Sequence, residues 1–144
     1  MSDWKLLNTS TASGASSVSF TNLTGYKIFK FAFIDVNPAT DGEAFQFQVN
    51  ASGQTGFNET MTTSMFKSYH YESDAHTGLV YEDGHDQGQG TAYQKLTTSI
   101  GSDSDESASG VLHIFAPSST TYVKQFYARV NQYASAVYSG DVFT

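Results

Sequence analysis

The 144-residue chain contains no cysteine. Disulfides, thiolate nucleophiles and cysteine-ligated zinc are therefore excluded. Proline occurs only at Pro38 and Pro117, and Trp4 is the single tryptophan. Leucine and glutamate are sparse, and no stretch sustains apolar residues at i, i+3, i+4 and i+7, so helices are not expected. Seven Lys and Arg against fourteen Asp and Glu give a net charge of −7. This lacks the basic footprint that nucleic acid or an anionic membrane surface requires, so neither is expected as a partner. No hydrophobic run approaches the ~20 residues of a transmembrane helix. The opening MSDWKLLNTSTASG has neither the basic nor the apolar region of a signal peptide, which points to synthesis in the cytoplasm. The four Asn-X-Ser/Thr triplets, at Asn8, Asn22, Asn50 and Asn58, are expected by chance in so Ser/Thr-rich a chain.

What is abundant is Phe, Tyr, Ser, Thr and Gly, a composition of strands and turns. Tyr26–Asn50 is the most informative stretch. In YKIFKFAFIDV, Phe29, Phe31 and Phe33 share one side, and Ile28, Ala32, Ile34 and Val36 the other, which predicts a central strand covered on both faces. In FQFQVN, Phe45, Phe47 and Val49 alternate with Gln46, Gln48 and Asn50, as in a half-buried strand. With Asn37-Pro38 and Asp41-Gly42 between them, the two runs predict a long-looped hairpin. Further strands are expected at Ala15–Phe20, Thr60–Tyr71, Leu79–Tyr81, Tyr93–Ile100, Gly110–Phe115, Tyr122–Val130 and, more weakly, Tyr133–Thr144. In FKSYHY, Phe66, Ser68 and His70 face one way and Lys67, Tyr69 and Tyr71 the other. About eight strands between turn clusters predict an all-β, antiparallel β-sandwich at residues 15–144, preceded by an arm at 1–14. The expected core is Phe29, Phe31, Phe33, Phe45, Phe47, Leu112, Ile114 and Phe126.

Chemistry-bearing clusters are few. Glu82-Asp83-Gly84-His85-Asp86, with His70 and His76 nearby in sequence, has residue types that suit a divalent transition metal but no recognised spacing. Asp103, Asp105 and Glu106 suit calcium by type, without the EF-hand pattern. Solvated loops are the expectation for both, so neither a metal nor another cofactor is expected. His113, in an apolar strand, reads as a buried histidine with one hydrogen bond. Neither a nucleophile elbow nor a phosphate-cradling glycine loop occurs. An enzyme is therefore not expected; a small hydrolase or metal-dependent enzyme built on His70, His85 and Asp86 is the remaining enzymatic alternative. Exposed tyrosines suit interfaces and also sugar rings. Tyr69, Tyr71 and His85 are the candidates for glycan binding, and Trp4, Leu6 and Leu7 for an interface.

Several stretches together carry a resemblance: FIDVNPATDGEAFQFQVN, GFNET, DQGQGTAYQKLTTSIGSDSDESASG, HIFAPSSTTYVKQFYARVNQY and the W-x-x-L-x-T-S-T-A-S run from Trp4 to Ser13. They resemble structural proteins of tailed bacteriophages, especially marine and cyanobacterial ones. The resemblance covers most of the chain and includes no catalytic signature. It implies a jelly-roll-like sandwich and a virion location, as head decoration or tail-fibre component. It implies capsid or tail proteins as partners, and a homo-oligomer, with a trimer favoured. The alternative is a carbohydrate-binding host-recognition module at a fibre tip. The phage proteins continue past a Tyr-Ser-x-Asp-x-Phe segment, here Tyr138–Phe143, whereas this chain ends at Thr144. That departure implies either completion of the sheet by assembly or a stretch of a longer chain.

Overall fold

The computed structural model describes residues 3–144, so Met1 and Ser2 of the expected arm lie outside the described residues. The chain is an all-β, antiparallel sandwich with unequal layers. Among the described residues ten strands are formed: β1 (Ile28–Val36), β2 (Gln46–Phe47), β3 (Met61–Thr62), β4 (Phe66–Tyr71), β5 (Thr77–Tyr81), β6 (Gly88–Gly90), β7 (Gln94–Lys95), β8 (Ala108–Phe115), β9 (Gln125–Ala134) and β10 (Tyr138–Phe143). Six of them make one broad sheet in the order β1-β8-β9-β10-β4-β5, while β2-β7 and β3-β6 are two-stranded pieces of the covering layer.

The period-2 pattern of the long strands decides which side is core. Phe29, Phe31 and Phe33 of β1 stand beside Ile114, Leu112 and Gly110 of β8, and Leu112 and Ile114 stand beside Ala128 and Phe126 of β9. Leu96, Ile100, Ala108, Leu112, Ile114, Ala128 and Val130 form the sealed centre, with Phe31, Phe33, Val36, Phe45, Phe47, Val49 and Phe126 packed around it. Edge-to-face pairs cross between the layers, Phe33 on Phe45 at 4.8 Å and Phe47 on Phe126 at 4.9 Å. Burying each large aliphatic or aromatic side chain here contributes about 1.5–3 kcal/mol. All eight expected core residues are buried or packed against this centre.

The covering layer is held by polar groups where main-chain pairing is short. The Leu96 amide donates to the Phe45 carbonyl at 2.8 Å, and the Phe45 amide to Thr97 Oγ1 at 2.7 Å. Ile100 bridges both Glu43 and Ala134, joining the small layer to β9. Gln132 of β9 is completely buried. Its Oε1 accepts from the Thr98 amide at 2.7 Å, and its Nε2 donates to Thr98 Oγ1 at 2.8 Å. Gln94, equally buried, accepts from Thr63 Oγ1 at 2.7 Å and donates to the His85 carbonyl at 3.0 Å.

Three expectations need correction, and the weakest one, the C-terminal strand, is met as β10. The Tyr26–Asn50 hairpin does not form: β1 pairs with β8, and β2 pairs with β7 in the other layer. A register shift between Phe33 and Val36, with Asp35 at a φ of 53°, bends the end of β1, but Val36 still pairs with Ala108 of β8. β1 is an edge strand rather than a central one. Its second apolar face is left uncovered, Ile28 being 43% and Ile34 78% exposed. Ala15–Phe20 forms no strand and is exposed throughout; Phe20 only rests on Phe31, with ring centroids 5.6 Å apart. The weak C-terminal region contains β10, which is interior to the sheet between β9 and β4, with Val142 fully buried.

Candidate functional site

The broad sheet has two solvent-facing regions of different character. The first is its outer side, opposite the core. Strand alternation places Ile28, Lys30, Ala32 and Ile34 of β1 there, with Val111, His113 and Phe115 of β8 and Tyr127 and Arg129 of β9. Phe143 of β10, Phe66 of β4 and Leu79 and Tyr81 of β5 continue it. The rings form ladders across the strands: His113 stacks on Tyr127 at 4.7 Å, and Phe66 on Phe143 at 5.0 Å, with the Arg129 guanidinium 5.2 Å from the Phe143 ring. Arg129 is itself paired with Asp141 at 2.7 Å. Leu79 is 71% exposed, Tyr81 56% and Tyr127 48%.

The arm touches this side. The Trp4 ring lies edge-on to His113 at 6.1 Å, and Lys30 Nζ is 5.9 Å from it. Leu6 and Leu7, the other expected interface residues, are 77% and 53% exposed. His113 departs from its expected role as a buried, hydrogen-bonded histidine. It faces outward among Trp4, Phe115 and Tyr127, and its Nδ1 is covered without a hydrogen-bond partner. Desolvation, aided by the Lys30 charge, holds its pKa below the usual imidazole value.

The second region lies on the core side, where β4 and β5 are only partly covered beside the buried Tyr138 of β10. A groove of about 290 Å³ is lined there by Lys67, Tyr69, Tyr71, Val80, Glu82 and Tyr138. The local sequence accounts for most of it. Lys67, Tyr69 and Tyr71 alternate onto one face of β4, Val80 is level with Lys67, and Tyr138 stands beside Tyr71. Tyr69, Tyr71 and Tyr138 form a mutual cluster with centroids 5.3 to 5.9 Å apart. Gly78, the neighbour of Tyr69 on β5, lets that ring lie across the strand; a Cβ there would sit 2.9 Å from ring atoms. Lys67 Nζ contacts Glu82 Oε1 at 3.0 Å and donates to Tyr138 Oη at 3.2 Å. Burial alone would lower the Lys67 pKa, but the bonds to Glu82 and Tyr138 outweigh it and raise the value above 10.5.

Of the glycan candidates, Tyr69 and Tyr71 line this groove and His85 does not. His85 lies behind Glu82, its Nδ1 3.2 Å from Glu82 Oε2 but without hydrogen-bond alignment. Its pKa is lowered, first by desolvation and then by the Lys95 charge. Lys67 and Tyr138 were not singled out from the sequence, and Glu82 only as a member of the acidic Glu82–Asp86 cluster. Lys67 carried a usable signal, sharing the strand face of the two tyrosines; Tyr138 carried none, because β10 meets β4 only through the fold.

The enzymatic constellation of His70, His85 and Asp86 is not assembled. His70 points to the outer side and pairs with Asp74 at 3.2 Å, whereas His85 adjoins Glu82 on the core side. Asp86 accepts a hydrogen bond from the Tyr81 hydroxyl at 2.5 Å. Among the described residues, no group of three His, Asp or Glu side chains is placed to hold a metal ion. In the second acidic loop Glu106 is buried, and its carboxylate accepts the Asp103 amide at 2.8 Å, so it organises its own loop. Comparison of the chain with protein-family models, curated proteins and solved structures gave no match.

Proposed function

We propose that this chain is a non-enzymatic structural protein that assembles with copies of itself through the outer side of its broad sheet and its N-terminal arm. The observation that carries the reading is the number of exposed apolar and aromatic residues on this one side, from Ile28 and Ile34 on one edge strand to Leu79 and Tyr81 on the other. Contiguous exposed apolar patches beyond a few hundred Å² are uncommon on monomeric proteins and mark interaction sites. A second copy suits this surface because its charges are few and Arg129 is already neutralised by Asp141. The arm supports the same reading. Trp4 rests on this side while Leu6 and Leu7 next to it are left open, as anchors for a neighbour would be.

The resemblance to tailed-phage structural proteins extends the proposal. On it, the protein is a virion component made in the host cytoplasm, either head decoration or tail fibre. Its partners are then capsid or tail proteins, and a trimer is the favoured state. Light scattering at micromolar concentration tests the assembly part. An oligomer that Leu79→Ser together with Ile34→Ser converts to a folded monomer is the expected result, and a monomeric wild type would overturn it. A cryo-EM map of the intact particle tests the location. Density for this domain at symmetric positions on the head or along the tail is expected, and absence from the particle would refute the virion reading.

A further inference from the structure

We propose that the tyrosine groove of β4, β5 and β10 binds a neutral saccharide. This rests on the groove alone and is independent of the assembly reading, which concerns the opposite side of the sheet.

Three features select the ligand class. First, the aromatic surface is built of rings laid against the sheet rather than upright in the core. Tyr69 lies over Gly78, and Tyr138 leans over Gly140, where a Cβ would stand 3.3 Å from its ring. Tyr69 and Tyr71 are partly exposed in the groove, with Tyr138 buried beneath them at 7% exposure, and partly exposed tyrosine rings suit the C–H face of a pyranose. Second, the polar groups are of both signs and stand side by side. Lys67 donates and the Glu82 carboxylate accepts, the two standing 3.0 Å apart, while the buried Tyr138 hydroxyl holds Lys67 in place at 3.2 Å. Neighbouring sugar hydroxyls, each both donor and acceptor, match this arrangement. An apolar ligand would cover a partly buried ion pair without bonding to it, at a desolvation cost. Third, the charges cancel. The Lys67–Glu82 pair is neutral as a unit, and the chain as a whole carries −7, so nothing draws an anionic ligand to the groove. The groove volume of about 290 Å³ lies at the small end of ligand sites and suits a short saccharide.

The test uses the full chain, isotope-labelled, titrated with a panel of maltose-, cellulose- and chitin-type oligosaccharides and followed by amide chemical shifts. The expected result is saturable shifts confined to Lys67–Tyr71, Gly78–Glu82 and Tyr138–Gly140, with little dependence on salt. Tyr69→Ala should weaken binding about tenfold, the equivalent of losing one aromatic contact. Tyr69→Phe should retain most of it, and Lys67→Met should weaken it severalfold. Absence of shifts at millimolar concentration across the panel, or shifts centred elsewhere, would overturn the proposal. So would a folded Tyr69→Ala with unchanged affinity. If Tyr69→Ala fails to fold, the map on the wild-type chain decides by itself. Leu79→Ser on the outer side should leave saccharide affinity unchanged, so loss of assembly and loss of binding are separately readable.

Discussion

Replacing Gln132 by methionine, close in size and shape but unable to bond, tests how the two layers are held together. Gln132 is fully buried on the core face of β9 and bonds to the Thr98 amide at 2.7 Å and Thr98 Oγ1 at 2.8 Å. Each of these is worth about 1 kcal/mol net, and an amide left unpaired in a sealed site costs about 1–3 kcal/mol. Thr98 Oγ1 keeps a partner in Tyr138 Oη at 3.3 Å, so the Thr98 amide is orphaned and the Ser99 carbonyl loses only its long 3.4 Å bond from Nε2. The thioether offsets roughly 1 kcal/mol through apolar burial. The sum predicts a loss of about 2–4 kcal/mol, a large part of the ~5–15 kcal/mol available to a domain. With a urea slope of roughly 2 kcal/mol per molar, the unfolding midpoint should fall by about 1–2 M at fixed protein concentration. Gln125→Met, on the same strand but exposed, is the control and should change stability by less than about 0.5 kcal/mol. A Gln132→Met midpoint equal to that of the control would refute the idea that side-chain amides clasp the covering layer.

Leu79→Ser and Ile34→Ser remove exposed side chains only; thermal denaturation should find the fold within about 0.5 kcal/mol of wild type while self-association weakens in light scattering. Deleting residues 1–14 should likewise leave the circular dichroism of the sheet unchanged, because residues 3–14 are exposed throughout, and should reduce the oligomer. Lys67 has a raised pKa in the fold, so its proton is held more tightly there than in the unfolded chain, and protonation stabilises. That contribution is complete below the unfolded value of 10.5 and is lost as pH rises through the higher folded value. The stability gap between wild type and Lys67→Met should therefore be constant from neutral pH to about pH 9 and narrow above 10.5; a gap that widens there would contradict the pair's role.

The strand faces were legible because a strand repeats every two residues. The split of FKSYHY into an outer Phe66, Ser68, His70 and an inner Lys67, Tyr69, Tyr71 is seen in β4, and Phe45, Phe47 and Val49 do pack on the core. The same rule misled at β1, because apolar residues on both faces describe a covered strand and an edge strand with an open apolar side equally well. Gln94 and Gln132 were unreadable as buried. A glutamine in an alternating run looks like the wet face until a partner such as the Thr98 amide is brought to it. The groove was half legible: Tyr69 and Tyr71 are two apart in one strand, whereas Tyr138 and Glu82 arrive through strand pairing and a turn.

By itself, then, the sequence determined the class of the fold, the faces of its strands and most of its core aromatics. Each follows from local period and composition, which any window of the chain carries. Strand order, the edge position of β1, the clasp of Gln132 and the meeting of Lys67, Glu82 and Tyr138 were decided by the tertiary structure alone. Those depend on which strands pair, and pairing is a competition among residues tens of positions apart that no local pattern records.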